Sequence, residues 1–119
     1  MLMEIKDIFL DVLDNGITLE DFAQLGENKV MVMFKRDNIV FSESDIDVLD
    51  ECLVRFEDTY SCKFDRIDIS RSKILYTNTH EHKGESKEYN KVSDLLNIGE
   101  LKYDEHLRIH YLYFVFNLQ

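Results

Sequence analysis

Residues 106–119 read HLRIHYLYFVFNLQ, and their assignment decides the fold. The first half alternates. Leu107, Ile109, Tyr111 and Tyr113 fall on the side expected to face inward, and His106, Arg108 and His110 on the other, which is the period of a strand. From Tyr111 to Phe116 both sides are apolar. Such a run, rich in Tyr, Phe and Val, suits a central strand with a neighbour on each side. The rival is a C-terminal helix carrying His106 and His110 four residues apart. The strand reading demands a sheet, so the rest of the chain must supply partner strands and a cover.

The cover is found in two amphipathic segments. Residues 3–14, MEIKDIFLDVLD, place Ile5, Ile8, Phe9, Val12 and Leu13 at helical spacing, with Glu4, Asp7, Asp11 and Asp14 opposite. Asn15-Gly16 supplies a left-handed stop. Residues 41–60, FSESDIDVLDECLVRFEDTY, carry Ile46, Leu49, Leu53, Phe56 and Tyr60 in one stripe. Asp47, Glu51 and Asp58 fall on the far side. Ser42 or Ser44 can cap this helix, each with an aspartate three residues later.

Between them, Thr18 and Asp21 resemble a capping box, and Ile17 and Phe22 occupy the positions of a hydrophobic staple, so a second, short helix is expected up to Gly26. Residues 29–35, KVMVMFK, alternate and predict a hairpin with 39–41. Residues 64–78 predict two strands around a turn near Ser70–Ser72. Residues 80–91, HEHKGESKEYNK, lack periodicity and predict a mobile polar loop. A short helix over 91–98 would carry Val92, Leu95 and Leu96. The expected fold is a single α+β domain over 1–119, with a mostly antiparallel sheet of about five strands and two longer helices packed on it. The order is α-α-β-β-α-β-β-(α)-β.

The totals restrict function. Apolar residues make up 45% of 119, enough for a core, and no apolar run reaches the length of a membrane span. The N-terminus has acids inside its apolar stretch and no cleavage site, so no signal peptide is expected. Cys52 and Cys62 are expected as reduced thiols of a cytoplasmic protein. The net charge is −10. Residues 1–60 hold 15 acids and 5 Lys or Arg, whereas residues 61–119 hold 9 of each. Without a basic cluster in that first half, direct binding to nucleic acid is not expected, nor is binding to an anionic membrane.

Catalytic patterns are weak. His80-Glu81-His82, the His106/His110 pair and Cys62 lack the paired spacing of a structural zinc site. Asp65 and Asp68 followed by Glu85-Ser86-Lys87 resemble the carboxylates of a magnesium-dependent nuclease. There is no nucleophile elbow and no glycine-rich phosphate loop. The expectation is a non-enzyme without metal or cofactor.

The acid stripes remain. Like charges at four-residue spacing, such as Asp7/Asp11 and Asp47/Glu51, cost each helix a few tenths of a kcal/mol. A basic partner would account for their presence. The expected contact residues are Asp47, Glu51 and Asp58, with Asp7, Asp11 and Asp14 second. Acids one helical turn apart, about 6 Å along the axis, roughly match the spacing of nucleic-acid phosphates. In size, acidity and absence of a catalytic motif the chain resembles phage-borne inhibitors of host defence nucleases (anti-CRISPR and anti-restriction proteins) and immunity proteins against nuclease toxins. That resemblance implies an inhibitor that binds a basic, nucleic-acid-handling protein, in part by nucleic-acid mimicry. Two alternatives are an assembly module forming a homodimer through a strand edge or the apolar C-terminal run, and a metal-dependent, nuclease-like enzyme.

Overall fold

The computed structural model describes residues 2–14, 16–36, 41–73, 85–100 and 107–119. Along the chain run helices α1 (Leu2–Ile8) and α2 (Leu10–Leu13), strands β1 (Thr18–Leu25) and β2 (Lys29–Arg36), and helix α3 (Glu43–Tyr60). Strands β3 (Cys62–Lys73) and β4 (Glu85–Tyr89), a 3₁₀ segment (Val92–Glu100) and strand β5 (Leu107–Leu118) follow. All pairings are antiparallel, in the order β1-β2-β5-β3-β4. The expected α+β architecture with a five-stranded antiparallel sheet is therefore present. β5 is its central strand, paired with β2 on one side and β3 on the other.

The side of β5 that meets the core differs from expectation. Leu112, Phe114 and Phe116 face the helices, while Tyr111 and Tyr113 lie half-buried on the other face. Both sides of this run are apolar, so alternation alone does not select one. The helices take the side without hydroxyls, which leaves both phenols near water. Phe9 of the N-terminal helical segment packs edge-on to Phe34 with ring centroids 4.9 Å apart, and Phe34 meets Phe114 at 5.4 Å. Phe56 of α3 stacks on Phe116 at 4.4 Å. Phe9, Phe34, Phe56, Phe114 and Phe116 are all essentially inaccessible. Truncating any one to alanine would cost about 3–5 kcal/mol.

Three local assignments are corrected. Thr18–Leu25 is a strand rather than a short helix, and it, rather than 39–41, is the hairpin partner of β2. Residues 39 and 40 lie outside the described residues. The spacing of Leu19 and Phe22 is helical in appearance because a bulge at Glu20 adds one residue between them. The bulge returns both side chains to the core face of the strand. Gly26, with φ of +70°, belongs to the hairpin turn. Second, β3 runs straight through Ser70–Ser72 without a turn, because β5 pairs with it from Cys62 to Lys73. Third, the helix expected as one unit over 3–14 opens at Phe9, which has φ −98° and ψ 15°.

The observed order of elements still reads α-α-β-β-α-β-β-(α)-β, with the two halves of the N-terminal helix as its first two terms. Of the expected loop 80–91, residues 80–84 lie outside the described residues, and Glu85–Tyr89 pairs with β3 as an edge strand. The segment at 92–100 is 3₁₀ with a kink at Asn97. It buries Val92 and Leu95 but leaves Leu96 exposed.

All helical elements cover one face. α1 lies against β1 and α2 against α3, α3 packs on β3, and the 3₁₀ segment lies by β4. No helix among the described residues is long and apolar enough to cross a membrane.

Candidate functional site

α3 starts where its sequence signals a start. The Ser42 hydroxyl accepts the Asp45 N–H at 3.2 Å, and the Asp45 carboxylate accepts the Ser42 N–H at 2.9 Å, a reciprocal capping box. At the other end the Glu57 carboxylate accepts the Phe64 N–H at 3.0 Å and ties the helix to β3. Two of the helix's seven acids are thus employed within the fold. The rest of the stripe, Glu43, Asp47, Asp50, Glu51 and Asp58, is exposed. Burial and the neighbouring charge of Asp47 push the Asp50 carboxyl above its ordinary range, a sign that these acids repel one another.

The N-terminal helices lie antiparallel to α3. Glu4 meets Tyr60, whose hydroxyl donates to Glu4 Oε2 at 3.5 Å. Seven residues later, Asp11 lies close enough to Cys52 for its charge to act on that thiol. Descending numbers on α3 therefore meet ascending numbers on α1 and α2. Asp7, Asp11 and Asp14 are exposed beside α3, as are Asp47, Glu51 and Asp58 on it. All six acids expected as contacts thus belong to the same helical layer, and Asp11 and Glu51 both act on Cys52. None of the six forms an ion pair within 4 Å among the described residues, where the three pairs present all involve Asp65 or Asp68 on the sheet.

Two exposed apolar residues, absent from the expected contact set, also lie within this face. Leu10 is 55% exposed and Val54 53%. In the antiparallel alignment Leu10 falls at the level of Leu53 and Val54. Both lie at helical spacing among the acids: Leu10 between Asp7 and Asp14, Val54 between Glu51 and Asp58. The signal was present, because each apolar residue breaks an acid stripe at that position.

The other candidates resolve differently. Asp65 and Asp68 lie on β3, but Arg66 reaches both, at 2.8 Å and 3.1 Å, and Lys29 reaches Asp65 at 3.5 Å. Glu85 pairs with Arg71, three ladder positions from Asp68, so the three acids of the nuclease-like pattern are not brought opposite one another. His80, His82 and His106 lie outside the described residues. Among the described residues no group of three His, Cys, Asp or Glu could hold a metal ion. Cys52 and Cys62 are free and buried. Burial raises both thiols to about 11, aided by Asp11 and Glu51 at Cys52 and by Glu57 at Cys62. Such thiols stay protonated at neutral pH and are poor nucleophiles. Comparison of the chain with protein-family models, curated proteins and solved structures gives no match.

Proposed function

We propose that this chain is a small non-catalytic binding protein that engages a basic, nucleic-acid-handling protein through the outer face of its helical layer and blocks it. The observation that carries this reading is the placement of two acid stripes, unpaired among the described residues, side by side in one layer. Residues 2–14 contribute four acids and one lysine, and residues 43–60 seven acids and one arginine. A surface of this sign attracts a basic partner from a distance and speeds their encounter. On contact, Asp47, Glu51 and Asp58, with Asp7, Asp11 and Asp14, accept charge-assisted hydrogen bonds from Arg and Lys. Leu10 and Val54 give the contact an apolar centre from which water is excluded, the usual core-and-rim arrangement of a protein interface. Inhibition follows from occupancy, since cations that grip these carboxylates are no longer free for phosphates.

The test is capture from a lysate of the native host with the immobilised protein. A basic nucleic-acid-binding protein should be retained at about 50 mM salt and released by about 300 mM, where screening shortens the reach of surface charge. The double variant Asp47→Lys, Glu51→Lys should capture nothing while its circular dichroism is unchanged. Undiminished capture by that variant overturns the assignment.

A further inference from the structure

We propose that the uncovered face of the sheet is where two copies of this chain meet. The helical elements of the described residues pack into the core cluster on the opposite side, so none of them lies over this face. It is apolar at its centre. Met31, Met33, Tyr111 and Tyr113 are half-buried there, and Val115 is 1% exposed although it stands apart from the main core cluster. A recess of about 540 Å³ crosses the strands, from Leu25 on β1 past Met31, Tyr113 and Val115 to Asp68 and Glu88.

Charge identifies the occupant. Strand register sets Lys29, Lys35, Lys63 and Arg66 on this face together with Asp21, Asp68 and Glu88, and Asp65, bulged beside Arg66, is held there by its ion pairs with Lys29 and Arg66. These eight charges balance, on a molecule of net charge −10. Two copies meeting through their helical layers would repel one another. Two copies meeting through their sheets bring balanced surfaces together. The central charges are already matched within one chain, in the run Lys29–Asp65–Arg66–Asp68. Covering them therefore does not strand a lone ion, the costly outcome in a dry interface. The size is adequate too. Five strands about 4.8 Å apart, each some eight residues long at about 3.3 Å, give roughly 600 Å² per copy. Two such faces bury about 1,200 Å², the lower end of the range for specific association. Face-to-face packing of twisted antiparallel sheets is a common geometry, with strands about 30° apart. The expected product is a dimer with a dissociation constant in the micromolar range.

The experiment is sedimentation velocity from low to high micromolar concentration, at low and high salt, on the intact chain. The wild type should shift from monomer to dimer with concentration. Lys35 and Lys63 make no ion pair among the described residues. Lys35→Glu with Lys63→Glu should therefore leave the fold intact and make the face net negative. Dimerisation should weaken about tenfold or more at low salt and recover at high salt, the mark of repulsion rather than misfolding. Met31→Glu should abolish the dimer at both salts, with its melting curve recorded alongside. Asp47→Lys with Glu51→Lys should leave the dimer unweakened, which separates this proposal from the partner face on the helices. A monomer at every concentration overturns it, as does a dimer that persists through the lysine and methionine variants.

Discussion

At the scale of single residues, Ser61 shows how the fold accepts a local cost. It ends α3 in the left-handed region, with φ of 51°, and its N–H donates to the Glu57 carbonyl. A side chain is disfavoured in that conformation and glycine is not. Ser61→Gly should therefore raise stability by about 0.5–1 kcal/mol, read as a higher midpoint in urea. The two buried thiols set an alkaline limit. Each has a folded pKa raised to about 11, so its contribution is fully present below the ordinary thiol pKa near 9. It is lost as pH rises from that value towards 11, because the unfolded chain ionises first. Stability measured by denaturant titration should fall across that window. The fall should be shallower in Cys52→Ala or Cys62→Ala than in the wild type.

At the scale of elements, legibility followed locality. α3 could be read in full because its cap, its apolar stripe and its polar face are all written within 42–60, and the structure adds only the choice of Ser42 over Ser44. β1 could not. Its bulge at Glu20 gives Leu19 and Phe22 the spacing of a helix, and the pairing with β2 that makes it a strand is a tertiary fact. A second bulge, at Asp65, does the same to Phe64 and Ile67. The six outward acids were legible as exposed positions. The antiparallel alignment of their helices was not, because no short-range pattern encodes which residue of one helix meets which of another. The repulsion along α3 yields its own prediction. Asp47→Lys alone places a cation at helical spacing from Glu43, Asp50 and Glu51, so helix stability should rise by a few tenths of a kcal/mol. A thermal melt of the variant should show a midpoint no lower than wild type.

At the scale of the molecule, the two layers divide the electrostatics. In the helical layer Asp7, Asp11, Asp14, Asp47, Glu51 and Asp58 make no ion pair among the described residues, whereas the sheet face holds those of Asp65 and Asp68. Low salt should therefore strengthen the proposed attraction of the helical layer for a cationic partner without driving the sheet faces apart. The position of β5 carries a further consequence. Residues 107–118 stand between β2 and β3, so the sheet has no centre until they arrive. During synthesis the β1–β2 hairpin and the β3–β4 pair emerge first, each with one edge that only β5 can close. Phe34, Ile67 and Ile69 wait meanwhile without the aromatic strand that covers them. Open edges and bare apolar rows are the features that recruit chaperones or neighbouring chains. The nascent chain is thus most vulnerable in the interval between the emergence of Lys73 from the ribosome and that of Leu118.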